Sequence, residues 1–336
     1  MKNPRLVRKK HAERLVLHRL QETDHVADFR EAVRAGLGRM PKQISPKFFY
    51  DERGSQLFEA ITRTEEYYPT RIEAALLAAH VDEIIAAAGD NIRLVELGSG
   101  SSTKTRVILD AIAARQGELE YIPIDISPTI VTEFGKQLLE DYPELTIRGL
   151  ICDYRHAMAE LRQRDLPNKL FLFLGSSIGN FMPEDALSLL RDIRATMNER
   201  DFLLIGLDLV KDVHVLHRAY NDAQGVTAAF NLNLLARINR ELHGDFNLDA
   251  FRHRAFYNNP QRRIEMHLES LADQIVPIAA LGRSYSFKQG ETIHTENSCK
   301  FDQDTLDALF SSAGLRRAGQ WRDEQRWFAL HLLTRA

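Results

Sequence analysis

Three acids end three successive apolar runs: Glu96 in "RLVEL", Asp125 in "YIPID" and Asp153 in "LICD". A glycine turn, Gly98-Ser99-Gly100, follows the first acid, and Lys104 comes four residues later. An acid at the carboxyl end of a buried strand can accept from ribose hydroxyls or from an adenine amino group. A glycine turn at that place lets the backbone approach a ligand closely. Each acid has a plainer reading as a helix cap or surface charge, but three at successive strand ends favour a ligand site.

Three nucleotide-like ligands compete for the turn. The stretch "GSGSSTKT" is one residue from a triphosphate loop, G-x-x-x-x-G-K-[ST], with Thr103 in place of the second glycine. Thr103 also breaks the dinucleotide fingerprint G-x-G-x-x-G. S-adenosylmethionine carries no phosphate and needs no anion cradle. Glu96 beside the turn suits its cationic sulfonium and ammonium groups. The residues therefore favour S-adenosylmethionine, with Glu96, Gly98, Ser99, Gly100 and Asp125 around it. Asp153 is placed for the adenine.

The elements that must hold these residues alternate. Thr70 and Glu73 form a T-x-x-E capping box for a helix with Ile72, Leu76, Leu77, Val81, Ile84 and Ile85 at helical spacing, stopped by Gly89. Strands are expected over "IRLVEL", "YIPIDI", "LTIRGLICDY", "KLFLFLG" and "FLLIGLDLV". They are apolar on both faces, as strands covered by helices are. Helices are expected after the first and second strands, from Thr103 to Arg115 and over "PTIVTEFGKQLLEDY". Such alternation gives an α/β class with a Rossmann-like, doubly wound parallel sheet. Past Lys211 a long helical region is expected to about Leu248, then a strand in "RRIEMHLESLADQIV" with one polar face. A helix over "DQDTLDALFSSAGL" stops at Gly314, and "QRWFALHLL" closes as a strand paired with the segment near Gly319. No strand is expected before Thr70. The boundaries follow: 71–208 plus 301–336 as the sheet domain, and 1–70 plus 209–300 as a second α+β domain that binds substrate.

Composition excludes several classes. In 336 residues the net charge is -3, which gives no overall attraction to nucleic acid or an anionic membrane. Two cysteines, Cys152 and Cys299, form no metal or disulfide pattern and fit a reducing cytoplasm. The histidines show no ligand spacing, so no metal is expected. No apolar run spans a bilayer. The basic start, "MKNPRLVRKKHAERLVLHRL", lacks a signal peptide's apolar core and reads as a solvated helix or arm. The absence of heptads favours a monomer.

Longer stretches carry a resemblance. "PKFFYDERGSQLFEAITRTEEYYPTR", "VELGSGSSTKTR", "FLGSSIGNF", "DLVKD", "AYNDAQGVTAAFNLN", "RIEMHL" and "TENSCKF" make the chain similar, from about Arg34 onward, to the histidine N-alpha-methyltransferases of ergothioneine biosynthesis. The resemblance implies S-adenosylmethionine as cofactor, L-histidine as substrate and hercynine, its trimethylbetaine, as product. For the cofactor it implies Gly98, Lys104, Asp125, Asp153 and Tyr154. For the substrate it implies Tyr67, Gly175, Ser177, Asn180 and Tyr220, with Asn180 and Tyr220 on the carboxylate. Glu296 and Ser298 would read the imidazole, both on one face of an extended segment. Tyr50, Phe58 and Met266 would line the pocket, Tyr50 also aiding proton removal through a water. Phe49 and Tyr68 read as core aromatics. Two alternatives stay open: an N-methyltransferase for another amine such as a tryptophan derivative, and a non-enzymatic nucleotide-binding regulator.

Overall fold

A computed structural model describes residues 14–20, 24–99, 103–164 and 166–336. Gly100 and most of the basic start lie outside them.

Eight strands form the large sheet. In chain order they are β1 (Leu15–Arg19), β3 (Arg93–Leu97), β4 (Leu119–Asp125), β5 (Leu145–Ile151), β6 (Lys169–Phe173), β7 (Phe202–Asp208), β13 (Leu315–Arg322) and β14 (Phe328–Arg335). Their spatial order is β1-β5-β4-β3-β6-β7-β14-β13. The pairs from β1 to β7 are parallel, and β14 is antiparallel to β7 and to β13. The chain winds outward from β3 through β4 to β5, then returns to the other side of β3 as β6. This reversal leaves a crevice at the carboxyl ends of β3 and β6, where open α/β sheets bind ligands.

The strands are apolar on both faces because helices cover both. Leu94, Leu170 and Leu172 pack with α3 (Tyr68–Ala88), α4 (Thr103–Ala113) and α5 (Pro128–Asp141). The alternate residues Val95, Phe171 and Phe173 pack with α6 (Tyr154–Gln163), α7 (Pro183–Thr196) and α10 (Gln303–Ser312). The period of two thus sends neighbouring residues to opposite cores.

A smaller sheet of order β2-β12-β9-β8 carries a third core. Its strands are β2 (Lys42–Gln43), β8 (Phe251–Asn258), β9 (Arg263–Ser270) and β12 (Thr292–Cys299). Around it lie α1 (His25–Leu37), α2 (Glu52–Ile61), α8 (Val213–Tyr220) and α9 (Val226–Leu242), with a hairpin of β10 (Gln274–Ile278) and β11 (Arg283–Phe287). The two sheets meet where β7 runs out: Phe301 N donates to Asp208 O at 3.0 Å, and Val210 N donates to Phe301 O at 3.0 Å. The segment after β12 is thereby tied to the end of β7.

Several expectations need correction. The region before Thr70 is not free of strands: β1 pairs along β5, and β2 pairs with β12. The long helical region past Lys211 is two helices, and β8 and the β10–β11 hairpin follow it. The T-x-x-E box does not cap α3. The helix starts at Tyr68, with Pro69 in its first turn, where a missing N–H costs nothing. Glu73 is instead fully buried. Both its carboxylate oxygens accept from Gly175 N, at 2.8 and 2.9 Å, and Lys104 Nζ donates to Oε2 at 2.5 Å. The β13–β14 hairpin forms as expected, with a bulge between Arg317 and Gly319.

Room for the Glu73 carboxylate comes from Gly206 on β7. A Cβ there would lie 1.9 Å from Glu73 Oε1 and 3.1 Å from a Phe328 ring carbon. Gly206→Ala must displace a hydrogen-bonded carboxylate inside a packed core. We expect a loss of about 1–3 kcal/mol, read from urea unfolding midpoints.

Candidate active site

The sequence-predicted residues converge on the crevice. Gly98 follows β3 with φ +74°, and a Cβ on it would lie 2.7 Å from the Tyr154 hydroxyl. Only glycine satisfies both the turn and that close approach. Tyr154 opens α6 and packs edge-on to Phe173 at 5.7 Å. Ser99 Oγ is buried with no hydrogen-bond partner among the described residues. A buried hydroxyl without a partner is costly unless a ligand supplies one.

The three acids differ in environment. Asp125 ends β4 and accepts from Ser127 N at 2.8 Å, and burial pushes its carboxyl up to about 6. Asp153 caps α6, its Oδ1 accepting from His156 N at 2.9 Å and lying 2.8 Å from His156 Nδ1. Burial acts to raise its carboxyl, but the bonds from His156 hold it below the usual range. Glu96 is buried and bonded to neighbouring side chains. Thr105 Oγ1 donates to both its oxygens, at 2.9 and 3.1 Å, and the Tyr121 hydroxyl donates to one of them. Burial still lifts it to about 7. Lys104 is held by Glu73, so the near-triphosphate loop has its cation already engaged by an acid.

The turn and donor set fit S-adenosylmethionine. They combine a glycine-backed approach, an unpartnered buried hydroxyl and acids at three strand ends, and the near-loop's lysine is already committed to an acid.

Beyond the end of β6 lies a cavity. Gly175, Ser177 and Asn180 bound it from the loop and short 3-10 turn after β6. Tyr50, Phe58 and Tyr67 close it from the N-terminal side, and Tyr220, Glu296 and Ser298 from α8 and β12. A smaller adjoining space shares Phe58, Tyr67, Tyr220 and Glu296 and reaches Met266. Every substrate residue that the resemblance implied thus lines one continuous region. The loop after β6 also touches β12 directly: a Cβ on Gly179 would lie 3.0 Å from Cys299 O.

Local structure fixes these side chains. Arg71 donates to the carbonyls of Thr64, Glu65 and Tyr67 at 2.7–3.0 Å and so holds the Tyr67 loop. Asp51 caps α2 through Gly54 N at 2.6 Å and accepts from Asn233 Nδ2 at 2.8 Å, which anchors the Tyr50 loop. Aromatic rings run along the wall edge to face: Tyr50–Phe58 at 5.7 Å, Phe58–Tyr67 at 6.4 Å, Tyr67–Tyr220 at 6.2 Å. The Glu296 carboxylate makes no hydrogen bond among the described residues, and burial pushes it up to about 7. It is an acceptor waiting for a donor.

Sequence reasoning missed a buried polar network beneath this cavity. Asp208, the last residue of β7, is 1% exposed. The Tyr68 hydroxyl lies 2.9 Å from both its oxygens, Lys300 Nζ is 2.7 Å from Oδ2, and Lys211 contacts Oδ1. Burial works to raise the Asp208 carboxyl, yet the two ammonium groups hold it below the ordinary range. Tyr68 is a core aromatic as expected, but its hydroxyl belongs to this network. The signal was one charge in the apolar run "FLLIGLDLV". Glu73 offered the same signal, since it shares the helix face of Leu77.

The structure also gathers Glu265, His267 and His294 within 4.8 Å, which sequence spacing did not show. The two imidazoles lie nearly parallel at 4.7 Å, so their in-plane lone pairs do not converge on one point. Arg263 already engages Glu265 at 2.7–2.8 Å. That arrangement is a stacked polar face on the sheet rather than a cation site.

Comparisons with known proteins agree with this geometry. The family model described as "Histidine-specific methyltransferase, SAM-dependent" matches residues 29–335. The chain belongs to that family. It is 45% identical to the histidine N-alpha-methyltransferase of Mycolicibacterium smegmatis over 91% of this chain and 94% of that one. It is 41% identical to the Mycobacterium tuberculosis protein of the same name, over 95% and 98%. "Ergothioneine biosynthesis protein 1" of Neurospora crassa is 31% identical over 88% of this chain, which spans 33% of that longer protein.

Because Glu296 holds its proton higher than an unfolded glutamate, the folded chain is favoured where the acid is neutral. This stability is complete below about 4.5 and is lost as pH rises through about 7. Glu296→Gln should remove this slope and gain on the order of 2 kcal/mol at pH 8 but little at pH 4, read by urea titration at both pH values.

Proposed function

We propose that this chain transfers three methyl groups in succession to the α-amino nitrogen of L-histidine, giving hercynine for ergothioneine biosynthesis. It is an S-adenosylmethionine-dependent histidine methyltransferase. The observation that carries the substrate reading is the half-buried, partnerless Glu296 carboxylate two residues from Ser298 in one cavity. A histidine ring offers one N–H and one lone pair, which suits a carboxylate beside a hydroxyl.

S-adenosylmethionine, when bound, supplies an electrophilic methyl group. Gly98, Ser99 and Asp125 would hold it, with Asp153 and Tyr154 beyond, and Glu96 adds negative potential. Gly100 would complete the turn. Glu73 ties Lys104 on α4 to Gly175, so the cofactor helix and the substrate loop share one rigid contact. Asn180 grips the carboxylate of histidine, and Tyr220 stands beside it with its proton given to Ser298. Glu296 and Ser298 fix the histidine ring. Two anchored ends leave the amine little freedom, and orientation is the main requirement of a displacement.

The nucleophile must be a neutral amine. Tyr50 at the partly exposed edge is placed to pass its proton to solvent through a water. As methyl groups accumulate, the nitrogen becomes a permanent cation. Tyr50, Phe58 and Tyr67 offer ring faces worth roughly 0.5–2 kcal/mol each to such a cation. The small space reaching Met266 completes the apolar lining.

The sheet region 71–208 with 301–336 serves the methyl donor, and 1–70 with 209–300 serves the substrate, except that β1 belongs to the large sheet. Among the described residues no helix is long and apolar enough to cross a membrane. Both cysteines are free, which supports a reducing cytoplasm. We read the chain as a monomer that binds no nucleic acid.

A tryptophan-type substrate is disfavoured by Glu296, because an indole needs no such carboxylate partner beside a hydroxyl. Purified protein with S-adenosylmethionine and L-histidine should give a mass increase of three methyl groups. Glu296→Ala should lower kcat/KM for histidine on the order of 10²–10⁴-fold. Unchanged turnover in that variant would refute the assignment.

A further inference from the structure

Lys300 lies against Tyr220 and Ser298, and it is 2% exposed. An ammonium has three N–H donors and no acceptor. Here all three are committed: to Asp208 Oδ2 at 2.7 Å, to the Tyr220 hydroxyl at 3.0 Å and to Ser298 Oγ at 2.7 Å. Tyr220 and Ser298 also touch each other, hydroxyl to hydroxyl, at 2.6 Å.

Proton counting then constrains the pair. The two hydroxyls hold two protons. One must sit in their mutual contact. Neither can point at Lys300, which only donates. The second proton is therefore directed away from the network, and the cavity is the space these residues line. With Tyr220 donating to Ser298, both acceptor places of Ser298 are filled, by Tyr220 and by Lys300. Ser298 can then meet a ligand only as a donor.

We infer that Lys300 is a specificity-determining positioning residue: it forces Ser298 to donate into the cavity and so selects a ring nitrogen that accepts. This rests on the histidine reading above. Glu296 then accepts from the ring N–H and Ser298 donates to the other nitrogen. The pair reads one neutral tautomer of imidazole. Without Lys300, Ser298 regains a free lone pair and can turn its proton inward, and the discrimination weakens.

Lys300→Met is a reasonable probe of fold as well as function. Asp208 keeps Lys211 and the Tyr68 hydroxyl as partners, so no uncompensated carboxylate remains. The competing substrate is 3-(2-pyrrolyl)alanine, whose five-membered ring has an N–H but no accepting nitrogen. Turnover of both substrates is measured for the parent, Lys300→Met, Ser298→Ala and the double variant, with S-adenosylmethionine affinity by calorimetry.

We expect Lys300→Met to raise KM for histidine at least tenfold. The histidine-to-pyrrolylalanine ratio of kcat/KM should fall by a factor of about ten to a hundred, and cofactor affinity should stay unchanged. Ser298→Ala should lower the ratio similarly, and adding Lys300→Met to it should change the ratio little further. If Lys300→Met does not fold, Lys300→Gln, which keeps two donors, is read instead and should give an intermediate ratio. A histidine-active parent whose ratio is unmoved by Lys300 variants, or additive effects in the double variant, overturns the role of Lys300 alone. A parent inactive on histidine overturns both this inference and the reading beneath it.

Discussion

The Asp208 carboxylate is the constraint around which the two halves of the molecule are arranged. It sits at the end of a central strand, out of water, and an isolated charge there would be prohibitive. It persists because Tyr68 from α3, Lys211 just beyond β7 and Lys300 just beyond β12 all reach it. Each partner comes from a different stretch of chain. The charge can be satisfied only when the start of α3, the end of β7 and the end of β12 are together. A buried ion pair is weak evidence for net stability, but it is strong in geometry, because misplacing any partner strands a charge. The floor of the cavity is thereby fixed in register with the sheet.

Glu73 applies the same logic one layer toward the cofactor turn. Its carboxylate fills the space that Gly206 leaves and spans from Lys104 to the backbone of Gly175. The cofactor side and the substrate side are thus joined by charge-assisted bonds. In contrast, Glu296 is left without a partner. The two buried carboxylates are fully satisfied and the half-buried Glu296 is not, and that asymmetry separates scaffold from recognition in this cavity.

The sheet was readable because its strands are apolar runs of the right length, each ending in an acid or a glycine. The placement of Gly98, Asp125 and Asn180 at the carboxyl edge followed from the winding rule alone. What escaped was whatever depends on partners far away in sequence. β1 is five residues long, and only its pairing with β5 makes it a strand. The T-x-x-E pattern at Thr70 and Glu73 matched a local rule, but the packing of Glu73 against Gly206 overrode it. Lys300 follows "TENSC" and looks like a surface charge, because nothing local shows that Asp208 waits beside it. The glutamate and serine of that motif came from the family resemblance, with which their spacing agrees, whereas nothing in the sequence pointed to the lysine beside the serine.

The pairing of β1 with β5 also sets an order on folding. Arg14, just before β1, donates to Leu145 O at the start of β5, 131 positions away. During synthesis β1 is made early and has no ladder until β5 appears. The closure of this sheet edge is therefore a long-range event, with a large loop to gather first. Until it occurs, the outer edge of β5 offers unpaired backbone groups to any passing chain. A nascent chain is therefore open to misassociation at this rim after β5 forms and before β1 returns.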